Sequence, residues 1–134
     1  FDTLSPLILN QMADPYFKID TSLSQYQALK DMASHMPAGS GGNFMVESQA
    51  FKDATMAKFI LKNMQPNTFF MHFNGAYHSD FYQGIMWYLL QEKPTLKITT
   101  ISTVTQQDIK ALEKENFGKA DFIICVPENM TRTH

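Results

Sequence analysis

Apolar side chains recur along this chain with two different periods, and the change from one to the other lays out its elements. Leu4, Leu7, Ile8 and Met12 share one helical face behind Ser5-Pro6, a start signal with proline in the first turn. Asp14-Pro15 ends that segment, because the residue before a proline is pushed out of the α region. Leu23, Tyr26, Leu29 and Met32 or Ala33 repeat the helical spacing, with Thr21 or Ser22 as the expected cap. The clearest helix covers residues 45–64. Its stripe of Ala50, Ala54, Ala57, Leu61 and Met64 is small enough in places to approach a sheet closely. Gln49, Asp53 and Met56 form an adjoining row on the same helix.

From residue 68 the pattern changes. Phe69-Phe70-Met71 reads as the start of a buried strand over 68–74, in which His72 is a satisfied core histidine. A helix is expected over 79–92, capped by Ser79 and presenting Phe81, Ile85, Trp87, Tyr88 and Leu89, with Trp87 and Tyr88 as core and rim. Lys93-Pro94 stops it. The β-branched run Leu96–Ser102 reads as a second strand. Thr105 with Asp108 resembles a capping box for a third helix, closed by Gly118. Phe122–Val126 is a third strand, ended by Pro127. Alternating helices and strands imply right-handed crossovers and parallel pairing. The fold class is therefore α/β: a small parallel sheet of about three strands with covering helices. Parallel sheets are normally covered on both faces, so three strands are expected to be part of a larger sheet. The Gly-rich stretch Pro37–Asn43 marks an internal boundary between a helical segment, 1–43, and an α/β portion, 44–134.

Composition narrows the function classes. The 134 residues suffice for one core, and 44% hydrophobic against 18% charged residues fits a folded domain. A net charge of -2 with scattered Lys and Arg argues against nucleic acid as partner. The lone Cys125 excludes an internal disulfide and reads as a small core residue in its apolar run. No apolar run approaches the ~20 residues of a membrane span. Nine Met and eleven Phe are many for this length. They fill cores, and they also line pockets for flat apolar ligands.

The candidate chemistry lies in His72-Phe73-Asn74-Gly75-Ala76-Tyr77-His78, at the expected carboxyl end of a parallel strand, where open α/β sheets bind ligands. Gly75 allows a turn or a close ligand approach. His78 offers an imidazole for a metal or for acid–base chemistry. Tyr77 beside a strand end reads as packing with its hydroxyl satisfied. Asp53 is explained by the positive end of its helix, or it orients His78 or a bound ligand. Glu47 is a helix-start acid or a ligand, Glu128 is a solvated loop acid by default, and His35 and His134 carry no signal. Ser79 beside His78 does not make a nucleophile–base pair. CxxC, HExxH and Gly-rich phosphate loops are absent from the sequence.

Ser48-Gln49-Ala50-Phe51-Lys52-Asp53-Ala54-Thr55-Met56-Ala57, followed by Phe73-Asn74-Gly75-Ala76-Tyr77-His78, resembles the ChaN-like family of haem-binding proteins, distantly related to the Tiki and erythromycin-esterase group. The resemblance covers about residues 44 to 128, which suggests the carboxyl-terminal portion of a larger domain. It implies a non-catalytic haem-binding protein of the bacterial envelope, associated with iron acquisition. Such a protein would lie in the periplasm or at the outer membrane as a lipoprotein, its anchor outside this chain. The implied cofactor is haem, bound by His78 or Tyr77 with Asn74, Gly75, Gln49, Asp53 and Met56 around it. His78 would be the metal ligand. The wider group adds an earlier Gly-Glu-x-His motif to build a metal site, and this chain has none. Two alternatives stay open: a metal-dependent hydrolase completed by a missing amino-terminal half, and an interaction module without ligand. A half-sheet should expose apolar surface, so a homo-oligomer is expected.

Overall fold

The computed structural model describes residues 5–37 and 41–131. In chain order α1 spans Pro6–Leu9, α2 Ser24–Ser34, α3 Met45–Asn63 and α4 Ile85–Glu92; β1 spans Ile101–Gln106 and β2 Phe122–Pro127. Serine and proline start α1 as their types predict: the Ser5 hydroxyl accepts from the Ile8 N–H and Pro6 takes the first helical position. After α1, the chain is tied to α3. The Ala13 N–H donates to Thr55 Oγ1 at 2.9 Å, and Lys58 Nζ donates to the Met12 carbonyl at 2.6 Å.

Helix α2 begins later than the Thr21 or Ser22 cap implies, and its N-cap is Leu23 with no side-chain bond. The reason lies one step earlier. The Asp20 carboxylate accepts from both the Ser22 N–H and the Ser22 hydroxyl, which takes that hydroxyl away from the helix end. Helix α3 matches its sequence stripe, with Glu47 in its first turn and Lys62 in its last complementing the dipole. Ala50, Ala54 and Ala57 are buried, but they face α2 and α4 rather than a sheet. The core is thus a helical layer. Ala13, Ala54, Ala57, Ile60, Ile85, Tyr88 and Leu89 form one cluster; Tyr26, Leu29 and Ala50 form another. Phe17 packs against both, with ring centroids 5.7 Å from Phe51 and 6.1 Å from Tyr88. Of the aromatic pair on α4, Tyr88 is the buried member and Trp87 the half-buried one, meeting edge-on at 4.8 Å.

The sheet has two parallel strands, not three, in register from Ile101↔Phe122 to Gln106↔Pro127. Parallel pairing and the α/β class agree with the sequence; the strand count does not. Residues 68–74 carry no strand, and Phe69, Met71, His72 and Phe73 are exposed rather than buried. A strand stabilises itself only through backbone partners, and among the described residues only β1 and β2 pair, so this segment is left to water. The second strand also starts late. Leu96 and Ile98 pack against the helical core, and pairing begins only beyond them.

The helix expected from Thr105 to Gly118 is replaced by turns, including a short 3-10 turn at Lys114–Asn116. Thr105 lies inside β1, and the neighbouring Gln106, 1% exposed, organises the loop instead. Its amide donates to the carbonyls of Asp108 (2.5 Å) and Ala111 (2.7 Å), while its oxygen accepts from Asn116 Nδ2 at 3.2 Å. Those carbonyls would otherwise sit in a helical ladder. Cys125 is half-buried, not core. The helix expected over 79–92 forms only from Ile85; residues 76–82 are two 3-10 turns. Of the Gly-rich boundary, residues 42–44 form a 3-10 turn leading into α3, while 38–40 lie outside the described residues, as do Leu4 and His134. No described helix is long and apolar enough to cross a membrane.

Candidate functional site

Residues 74–84 form a folded turn held against three elements. Asn74 opens it, with Nδ2 donating to the Gly75 carbonyl and to Ser79 Oγ, both at 2.9 Å. Ser79 therefore closes the turn rather than capping a helix. The N–H groups of His78 and Ser79 return to the carbonyls of Gly75 and Ala76, which makes the 3-10 turn Ala76–His78. Beyond it, Phe81 (φ 58°) and Tyr82 (φ 60°) adopt left-handed backbone. Such a conformation costs a non-glycine residue about 1–2 kcal/mol. It persists where neighbours over-determine it. Here the Phe81 N–H donates to the Lys119 carbonyl at 2.8 Å, and Tyr82 Oη donates to Asp121 Oδ1 at 3.1 Å. Buried Asp80 accepts from Ser102 Oγ at 2.8 Å, which fastens the turn to β1. Gln83 fastens it to α2: its oxygen accepts from the Gln25 N–H at 2.9 Å and its amide donates to Ser24 Oγ at 2.8 Å.

This clamping delivers the His78 side chain to α3. Its Nδ1 lies 2.5 Å from Asp53 Oδ1, with the His78 side chain 21% exposed and the Asp53 side chain fully buried. Tyr26, 1% exposed on α2, donates its hydroxyl to Asp53 Oδ2 at 2.8 Å. One buried carboxylate thus joins a buried phenol to a half-buried imidazole. With Asp53 ionised its oxygens only accept, so the 2.5 Å contact places the Nδ1 proton toward the carboxylate and turns Nε2 away from it. Among the described residues Nε2 makes no hydrogen bond. Gln49 Nε2 also lies 2.9 Å from His78 Nδ1. The same Gln49 amide donates to the Tyr77 carbonyl, 3.4 Å away.

Burial pushes the Asp53 carboxyl above the ordinary carboxylate range. The hydrogen bonds from His78 and Tyr26 pull the other way, and the Lys52 charge assists them. Burial, and then the Asp53 charge, pushes the Tyr26 phenol upward. The Tyr88 phenol, which donates to the Lys18 carbonyl at 2.8 Å, is pushed up to about 12, again chiefly by burial.

Of the residues singled out in sequence, Gln49, Asp53 and His78 therefore meet directly. Gly75 and Asn74 build the turn. Tyr77 contributes its carbonyl, and its ring is exposed. Met56 is half-buried against the helical core. Glu47 lines a cleft of about 480 Å³ together with Tyr26 and Lys30, and Glu128 is exposed. His35 closes α2, its Nδ1 2.7 Å from the Asp31 carbonyl. Tyr26 went unrecognised because its period marks only a buried helical face. Nothing local reports that this face meets a carboxylate 27 positions away. Among the described residues no group of three His, Cys, Asp or Glu side chains is placed to hold a metal ion.

The model of the haem-binding uptake family ChaN, in the Tiki superfamily, matches residues 1–89. The chain belongs to this family. The ChaN match includes every side chain of the Tyr26–Asp53–His78 network and ends within α4, ahead of both strands. No curated protein and no solved structure matches the chain.

Proposed function

We propose that this chain binds haem, with His78 Nε2 as the iron ligand. The carrying observation is the carboxylate-held imidazole: Asp53 Oδ1 at 2.5 Å from Nδ1 orients the ring and turns Nε2 away from the carboxylate on a half-exposed side chain. Ligating histidines characteristically give their other ring N–H to a carboxylate or carbonyl, which raises their basicity. Haem would supply an iron that such a nitrogen, or a phenolate, would hold. The exposed Tyr77 is the alternative ligand beside it. The exposed Phe69, Met71 and Phe73, on the segment that leads into the turn, supply apolar side chains suited to a porphyrin face. Asn74 and Gly75 hold the turn, Gln49 holds the Tyr77 carbonyl, and Met56 packs α3 against the helical core.

The role extends to iron acquisition at the bacterial envelope, periplasmic or on an outer-membrane lipoprotein anchored outside this chain; its support is the description of the family as one of uptake. Self-association belongs to the same proposal. The outer face of the sheet exposes Ile101, Phe122 and Ile124, and a second copy would cover it.

A haemin titration followed by absorbance tests the central claim. Saturable binding to the native chain is expected, with the Soret band moved by His78→Ala and much less by Tyr77→Phe. Non-saturable binding indifferent to both substitutions would refute it.

A further inference from the structure

Gly84 has φ +55° and ψ -120°, the first central position of a type II′ turn closed by the Met86 N–H on the Gln83 carbonyl at 3.1 Å. An L-residue is strained there. The space is closed as well. A Cβ at this position would lie 2.4 Å from the His78 carbonyl oxygen, 2.9 Å from its carbon and 3.1 Å from Asp53 Oδ2. The backbone of Gly84 therefore abuts both members of the imidazole–carboxylate pair at once.

We infer that Gly84 is a positioning residue for His78: by having no side chain it lets the His78 main chain seat where Nδ1 reaches Asp53 and Nε2 faces a ligand. This rests on the proposed haem role of His78. The turn has little freedom to yield. Gln83 is bonded to α2 on one side, and Gly84 itself leads into α4, its carbonyl accepting from the Tyr88 N–H at 3.4 Å. A methyl group at residue 84 must then displace the His78 peptide by about 1 Å to reach ordinary contact distance. A shift of that size breaks a directed hydrogen bond.

The test uses the full chain and two readouts. In the native protein the Nδ1 proton held by Asp53 should appear as a slowly exchanging, downfield imidazole resonance. Gly84→Ala is expected to abolish or shift that resonance and to weaken haemin binding at least tenfold. Added to His78→Ala, the same substitution should cost no further affinity. Gly84→Ala with native resonance and native affinity would overturn the inference. So would an equal affinity loss with and without His78. Absence of saturable haemin binding to the native chain would sink the haem proposal alone, since the imidazole resonance still reports the positioning. If Gly84→Ala does not fold, the native chain decides. Nuclear Overhauser contacts between the Gly84 α-protons and the His78–Ser79 peptide support the close approach, and their absence refutes it.

Discussion

Replacing Tyr26 by Phe removes one oxygen from the protein interior and leaves Asp53 Oδ2 without its donor. Both side chains are buried, at 1% and 0% exposure, so water does not replace the lost bond without opening the α2–α3 contact. A hydrogen bond to a charged group contributes about 1.5–3 kcal/mol, and an unsatisfied buried acceptor costs about 1–3 kcal/mol. A loss near 2 kcal/mol at pH 7 is therefore expected, out of the ~5–15 kcal/mol that holds a domain together. For a chain of this size it corresponds to a fall in Tm of roughly 5–10 °C. The pH dependence separates this mechanism from a packing defect. Burial has already raised the Asp53 carboxyl, and removing the Tyr26 bond raises it further. A raised carboxyl contributes stability that is complete below its unfolded value and is lost as pH rises through its folded value. The variant has the higher folded value, so its deficit is largest at neutral pH. It shrinks as the medium is acidified toward the ordinary carboxylate range. Urea unfolding of both chains from neutral to acidic pH measures it. A deficit under about 0.5 kcal/mol at pH 7, or one that grows on acidification, would refute the account.

The remaining predictions concern the sheet. Asp121 is held below the ordinary carboxylate range, first by the Thr100 N–H at 2.7 Å and then by the Thr100 hydroxyl. A lowered carboxyl stabilises above its unfolded value and loses that contribution as pH falls through its folded value. Amide exchange at Thr100 and Phe122 should therefore accelerate in acid beyond its intrinsic pH trend, and Asp121→Asn should abolish the difference. Light scattering at increasing concentration should show self-association that Phe122→Ser weakens; a monodisperse monomer throughout would remove that part of the proposal.

Local chemistry settled a definite share of this protein. Ser5-Pro6 starts α1, the alanine stripe specifies α3, and the apolar run after Asp121 forms β2, because capping, helical period and β-branching act over a few residues. The motif Gly75-x-x-His78 and the row Gln49, Asp53 and Met56 were likewise visible, each on its own element. What joined them was not. Residues 68–74 have the composition of a strand and lack one because pairing needs a neighbour at the right edge. Thr105 and Asp108 have a helix-start signal that loses to a buried Gln106 taking the same carbonyls. Tyr26 reads only as a buried helix face, and Gly84 only as a glycine. Their roles appear when α2, α3 and the turn before α4 converge on one carboxylate. That convergence is long-range packing, and no period along the chain encodes it.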